Sequence, residues 1–281
     1  MKKCVETVPI LQRSMTGIAA SKLYPPQFLR SRERLLFAPG TTIFCDFDGP
    51  IVDVSDRYYS TYQLGLADTQ AIYQAQGVHL PIRLLSKDQF WRMKQDRTPD
   101  TEIAMRSGLN HEQIDVFLTR VAQIVNQPAL LQKDRLQPGV LWALALLHSR
   151  GARLVLVTLR CQHQAIQILQ NYGLARLFSC IRGTQDNGET AYHNYAEVKA
   201  KLLAEVLAEQ AWQPGHTKSA WMVGDTEADI LAAQAMQIPA IALTCGIRSS
   251  SYLERFGPTH IHSDLLSAAH YLIGRTQQVQ V

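Results

Sequence analysis

The sequence predicts an α/β protein, with a doubly wound parallel sheet as its core and an all-helical domain inserted near the start of that sheet. Three observations predict it. Short apolar runs at residues 41–45, 153–157, 178–181, 219–223 and 238–243 have the length and composition of buried strands. Helical segments of ordinary length separate the later runs, and right-handed crossovers through such helices are the ordinary way to join parallel strands. Between the first two runs, residues 54–133 keep a helical period, with aromatic and aliphatic side chains three and four apart.

Residues 1–38 show no clear period and include Pro25, Pro26, Arg30, Arg32 and Arg34, the composition of a loosely docked N-terminal extension. After Pro39-Gly40, the run Thr41-Thr42-Ile43-Phe44-Cys45 forms the first strand and ends in Asp46-Phe47-Asp48-Gly49-Pro50. A buried strand thus delivers two carboxylates to its C-terminal end. The insertion at 54–133 is broken near Gly77, at Thr98-Pro99 and near Gly108, which divides it into several helices that form a small domain. The core comprises residues 39–53 and 134–281. Pro138-Gly139 opens a helix that Gly151 ends, and the second strand then delivers Thr158. A third strand precedes a helix at residues 194–210, the fourth runs into Gly224-Asp225-Thr226-Glu227-Ala228-Asp229, and a helix ending near Gln237 leads to the fifth. In such a Rossmann-like sheet, ligands bind beyond the carboxyl ends of the strands. Three of those ends carry Asp46 with Asp48, Thr158, and Asp225.

The chain has 281 residues, 46% of them hydrophobic and 19% charged, which is enough apolar material for a sizeable core. A net charge of +4 attracts anions weakly and falls short of the basic stripe of a nucleic-acid binder. Cys4, Cys45, Cys161, Cys180 and Cys245 lack metal-ligand spacing and read as reduced thiols, which points to the cytoplasm. No apolar run is long enough to cross a membrane, and Glu6, Pro9, Gln12 and Arg13 interrupt any signal-peptide core.

The convergent polar residues suit phosphoryl transfer. A carboxylate can attack phosphorus and form a mixed anhydride that water then cleaves, and Asp46 is the first candidate nucleophile. An anionic nucleophile approaching an anionic phosphate needs positive charge and donors around the equatorial oxygens, which a hard cation, a lysine and a hydroxyl supply. Magnesium takes a few oxygen ligands and keeps waters, so Asp46, the backbone carbonyl of Asp48 and Asp225 make a sensible Mg2+ site. Asp48 can protonate the leaving alkoxide and later deprotonate the attacking water. Gly49 lies beside this site, and Arg97, Lys94, Tyr58 and Tyr59 of the insertion are candidates for holding substrate. Other readings are weaker. Asp46-Phe47-Asp48-Gly49 alone is as often a turn, but it lacks the closing Glu of a calcium loop. His111-Glu112 has no second histidine and reads as a surface helix start, while Phe90 and Trp91 read as the core of the insertion.

Four segments in order carry a family resemblance: Asp46 to Asp53 as DFDGPIVD, the apolar strand ending in Thr158, a downstream lysine, and VGDTEAD at 223–229. Together they resemble the four motifs of the haloacid dehalogenase-like hydrolases, from about Thr41 to Leu266. Gly246-Ile247-Arg248-Ser249 and Ser263-Asp264-Leu265-Leu266 are similar to the phosphoglycolate phosphatase-like branch. The resemblance implies that Asp46 is the nucleophile, Asp48 the acid/base, Thr158 a phosphate donor, Asp225 a magnesium ligand and Asp229 its support. It also implies that the insertion is a mobile cap. Three departures stand out. Pro50 replaces the usual threonine, both Lys199 and Lys201 fit the third motif with Lys199 preferred, and Arg160 is not fixed by the family. Arg160 either reaches the leaving group or sits exposed at a helix start. The expected partner is a small phosphorylated metabolite rather than nucleic acid or membrane, taken up by a monomer or homodimer. Phosphoglycolate is the substrate the branch suggests. A phosphomutase and a non-catalytic phosphometabolite-binding module remain as alternatives.

Overall fold

The computed structural model describes residue 37 and residues 41–185, 195–211 and 219–278. The extension expected at residues 1–38 falls outside them except for Phe37, which is buried in the core and donates its N–H to the Arg150 carbonyl at 2.8 Å. In chain order the elements are β1 (Thr42–Cys45), β2 (Val52–Asp53), α1 (Ser55–Ala75), α2 (Lys87–Gln95), α3 (Asp100–Arg106), α4 (His111–Ile124) and α5 (Pro128–Leu131). They continue as β3 (Arg135–Leu136), α6 (Val140–Ser149), β4 (Arg153–Cys161), α7 (Gln162–Asn171), β5 (Phe178–Thr184) and α8 (Ala196–Ala211). The last are β6 (Ala220–Gly224), α9 (Glu227–Ala235), β7 (Ala240–Leu243), α10 (Ser250–Leu253), β8 (His260–His262) and α11 (Leu265–Gln278).

Six strands form one parallel sheet in the order β5-β4-β1-β6-β7-β8. β1 is central, with Ile43 opposite Leu154 on one side and Trp221 on the other. Successive side chains of a strand face opposite ways, and β1 shows the consequence. Ile43 and Cys45 enter a layer with Leu144, Leu147 and Leu169, whereas Phe44 enters the opposite layer with Leu203, Val206 and Ile230. Helices therefore cover both faces, and each fully buried aliphatic or Phe side chain contributes about 1.5–3 kcal/mol. That is the doubly wound arrangement the sequence predicts.

Three features differ from the sequence reading. β4 does not stop at Thr158 but runs on to Cys161, because a register shift after Val157 lets Cys161 pair with Thr184. A sixth strand, β8, adds to the edge through Ile241↔His260 and its neighbours. Its half-polar His-Ile-His sequence gives no apolar run to detect. A separate antiparallel ribbon, Val52↔Leu136 and Asp53↔Arg135, forms a neck between the sheet and the helical insertion.

The insertion itself holds five helices and a core of its own, including Tyr62, Leu66, Phe90, Ile103, Phe117 and Val121. Tyr62 and Phe90 stack with centroids 4.8 Å apart, and Trp91 packs partly buried against the same cluster. α2 and α4 open with capping boxes, Ser86 with Gln89 and Asn110 with Gln113, so their start points are set locally. His111 is the exposed first residue of α4, as its motif-free sequence predicts.

Candidate active site

Parallel pairing of β1 with β6 brings the acidic residues that follow them to one end of the sheet. Past Asp46 the chain turns at Gly49, whose φ of 95° is open to glycine. A Cβ there would lie 2.2 Å from the Asp225 carboxylate, so only a bare backbone can pass. Gly246 also approaches the same carboxylate, where a Cβ would sit 1.9 Å from Oδ2.

Asp46, Asp225 and Asp229 are all buried, with one carboxylate oxygen of each lying within 4.8 Å of the others. Lys199, 1% exposed, bridges two of them, with Nζ 2.7 Å from Asp46 Oδ1 and 2.8 Å from Asp229 Oδ1. Lys201, the alternative, is exposed. Asp46 Oδ1 also accepts the Phe47 N–H at 2.7 Å. Asp229 Oδ2 accepts from the Thr226 N–H at 3.1 Å and its hydroxyl at 2.8 Å, which fixes the first turn of α9. Asp225 Oδ2 accepts the Ile247 N–H at 2.7 Å, but its buried Oδ1 has no partner.

Three carboxylates with one lysine leave two negative charges unmatched when all are ionised. The electrostatics show the shortfall. Burial first, then the charge of Asp229, push Asp46 up from 3.8 to about 7 despite Lys199, and burial, Asp46 and Asp229 push Asp225 well above the ordinary carboxylate value. Lys199 is held above its usual range, since Asp229 and Asp46 outweigh its burial. An all-oxygen donor set with an orphaned buried carboxylate oxygen and two surplus negative charges fits a hard divalent cation.

Asp48, two residues from Asp46, has the opposite surroundings. Its Oδ1 accepts from Arg160 Nε at 2.7 Å, and its Oδ2 accepts from Arg160 Nη2 at 3.0 Å and Arg57 Nη2 at 2.8 Å. Burial alone would raise its pKa, but Arg160 and Arg57 outweigh burial and hold it below the ordinary value. Arg160 is buried and not exposed at a helix start, because β4 continues through it. Thr158 is likewise buried in β4, and its hydroxyl oxygen accepts the Arg160 N–H at 3.1 Å.

The insertion completes the enclosure. A cavity of about 50 Å³ is lined by Asp46, Asp48, Thr158, Arg160 and Asp225 from the core, and by Tyr58, Lys94 and Arg97 from the insertion. Lys94 pairs with Asp100 at 2.8 Å, and Arg97 pairs with Glu227 at 3.2 Å. Arg248, whose Nε donates to Glu227 Oε2 at 2.8 Å, also donates to the Lys94 carbonyl at 3.2 Å. The Ser249 N–H donates to the Gln95 carbonyl at 2.9 Å, so the end of α2 is docked on the loop after β7. Tyr59 lies away from this cavity, with its hydroxyl donating to the Leu85 carbonyl and its ring against Tyr62 and Phe90.

The expected site residues thus meet at one place: Asp46, Asp48, Gly49, Thr158, Arg160, Lys199, Asp225 and Asp229, with Arg97 at the rim. Sequence reasoning missed Arg57, Asp134, Glu227 and Arg248. Glu227 lies inside a quoted motif and Arg248 just after the strand β7, which were the available signals.

Comparisons with known proteins identify the family. The haloacid dehalogenase-like hydrolase family matches residues 43–243. A phosphoglycolate phosphatase of Synechococcus elongatus is 28% identical over 239 residues, which cover 82% of this chain and 98% of that protein. Among solved structures, a haloacid dehalogenase-like hydrolase from Streptococcus pneumoniae aligns with a TM-score of 0.54 at 21% identity, covering 82% of this chain and 97% of its own. Protein tyrosine kinase A of Mycobacterium tuberculosis aligns with a TM-score of 0.58 at 20% identity over 84% of this chain and 99% of its own, a likeness of fold alone. With the family matched from β1 to β7 and its four motifs gathered at one end of the sheet, the chain belongs to the haloacid dehalogenase-like hydrolases, among their phosphatases.

Proposed function

We propose that this enzyme hydrolyses a small phosphomonoester through an aspartyl-phosphate on Asp46, with magnesium as its cofactor. The observation that carries the reading is the buried carboxylate cluster, bridged by Lys199 yet two positive charges short, beside a nucleophile at a strand end. Asp46, the Asp48 backbone carbonyl and Asp225 would hold the cation, and Asp229 would fix Lys199 from behind. When bound, the cation supplies charge that neutralises both the phosphate and the carboxylates facing it.

The chain's own residues do the rest. Lys199 and the Phe47 N–H occupy Asp46 Oδ1, which leaves Oδ2 to attack phosphorus. As the new O–P bond forms, the bond to the leaving oxygen breaks, and Asp48 delivers a proton to that oxygen. Thr158 and Lys199 donate to the equatorial oxygens as charge develops on them. In the second half, water attacks the acyl phosphate, its proton passes to Asp48, and the O–P bond to Asp46 breaks to release inorganic phosphate. Arg160, with an Nη1 that has no hydrogen-bond partner, lines the cavity beside Asp48 and can donate to substrate.

The small cavity and the docked end of α2 favour a small substrate, and Lys94, Arg97 and Arg248 favour one with a second anionic group. Phosphoglycolate has both properties and is what the Synechococcus elongatus relative is named for. The test is phosphate release from a panel of phosphomonoesters with magnesium, repeated in excess chelator and with Asp46→Asn. Turnover by Asp46→Asn within tenfold of the parent would refute the nucleophile, and full activity in chelator would refute the cofactor.

A further inference from the structure

Arg57 and Asp134 do not line the cavity, yet both belong to a closed ring of charges that contains the proposed acid/base. Arg57 lies in the first turn of α1 and Asp134 just before β3, so they mark the two ends of the helical insertion at its neck. Asp134 gives one oxygen to each arginine, Oδ1 to Arg57 Nε at 2.9 Å and Oδ2 to Arg160 Nη2 at 2.5 Å. Each arginine also reaches Asp48, Arg160 at both carboxylate oxygens and Arg57 at Oδ2. Side chains of Arg57, Arg160 and Asp134 are 2%, 2% and 1% exposed, whereas Asp48 is 22% exposed.

Stability alone is a poor reason for this ring, because buried ion pairs often gain nothing over well-packed apolar residues. Geometry is a better one. Planar guanidinium forks fix the plane and direction of a carboxylate, and a general acid must lie within hydrogen-bond reach of the atom it protonates. Arg57 Nη1 also donates to Asn126 Oδ1 at 3.0 Å, just past α4, so Arg57 travels with the insertion.

We infer that Arg57 and Asp134 are positioning residues for proton transfer, acting through Asp48 and Arg160 to aim the Asp48 carboxylate only while the insertion is seated on the core. This rests on the reading of Asp48 as the acid/base. Seating the insertion and aiming the acid become one event, so protonation of the leaving oxygen waits until bulk water is shut out.

The test measures formation of the phosphoenzyme in a single turnover, by rapid quench with magnesium present, from two substrates. One is p-nitrophenyl phosphate, whose acidic phenol leaves without a proton donor. The other is an alkyl phosphate that the parent hydrolyses, whose alkoxide needs one. Arg57→Lys keeps the charge but loses the fork, and Asp134→Asn keeps the shape but loses the charge. Each is expected to slow transfer from the alkyl phosphate about 100-fold while slowing p-nitrophenyl phosphate less than about threefold, with thermal melting showing that the variant is folded. Equal slowing on both substrates, or full rescue by Arg57→Lys, overturns the inference and leaves the ring a structural tie. Asp48→Asn separates the two readings. If it fails to discriminate between the substrates, the acid/base assignment falls; if it discriminates and the ring variants do not, only the positioning role falls.

Discussion

Replacing Lys199 with methionine removes one charge from the centre of the site while keeping a side chain of similar length. Lys199 is 1% exposed and makes both of its ion pairs, to Asp46 and Asp229, at 2.7 and 2.8 Å. Deleting one partner of a buried pair costs about 3–5 kcal/mol, because the other charge is left uncompensated. Here two carboxylates lose their partner, and the cluster goes from two unmatched negative charges to three. Lys199→Met should therefore lose about 3–5 kcal/mol in metal-free protein, read by urea unfolding near pH 8. The loss should shrink as pH falls. Asp46 is already raised to about 7 in the parent, so its folded pKa exceeds its unfolded one, and protonation adds stability as pH drops from about 7 toward 4. Without Lys199 that carboxyl rises further, so the variant regains stability on acidification faster than the parent does. A loss below about 1 kcal/mol at pH 8, or one that grows on acidification, would refute the charge argument.

Metal should act on the same cluster. Millimolar magnesium should raise the melting temperature of the parent near pH 8 by mass action, and less in Asp225→Asn; an equal rise in both would place the cation elsewhere. Gly49→Ala should impair both metal-dependent stabilisation and turnover, because its Cβ would meet the Asp225 carboxylate at 2.2 Å in a backbone conformation with φ of 95°. Unchanged metal response would contradict that close approach. Arg97→Ala breaks a partly exposed pair with Glu227, so stability should change by less than about 1 kcal/mol. kcat/KM for a carboxylate-bearing substrate should nonetheless fall by about 1.5–3 kcal/mol, with p-nitrophenyl phosphate barely affected. Equal losses would make Arg97 a latch for the insertion and not a reader of substrate.

Much of the site was legible because its residues sit where local patterns end. Asp46 and Asp225 each follow an apolar run, and a strand buried on both faces has no other way to announce its end. Lys199 carried a weaker signal that distinguishes it from Lys201. It shares the buried face of α8 with Leu203 and Val206, at i+4 and i+7, whereas Lys201 falls on the exposed side. The charged ring was not legible. Arg57 and Asp134 are 77 residues apart, and Arg160 and Asp48 are 112 apart, so no periodicity or spacing joins them. The same holds for the neck, since two-residue strands are too short to show alternation. β4 was misjudged at its end because Cys161 pairs with Thr184 across a register shift that leaves no mark on composition.

Asp46 and Asp48 show how two carboxylates two residues apart acquire different surroundings. Phe47 between them belongs to the buried core, which fixes the chain so that they face separate neighbours. Asp46 shares one lysine with a second aspartate and is poorly compensated, so its ionised form, the nucleophile of the proposed reaction, needs additional positive charge. Asp48 has two arginines and remains ionised without help. In the proposed reaction an ionised Asp48 is ready to take a proton from water in the second half, but it must first acquire a proton to serve the departing alkoxide. An incoming phosphate dianion adds negative charge beside both carboxylates and competes for Arg160, the arginine that both lines the cavity and holds Asp48. Weakening that pair favours the protonated form of Asp48 once phosphate is in place. Arg160→Met removes the fork that orients Asp48, so it should slow phosphoenzyme formation from alkyl phosphates far more than it weakens phosphate binding, and a purely KM-type defect would show that the arginine serves binding alone.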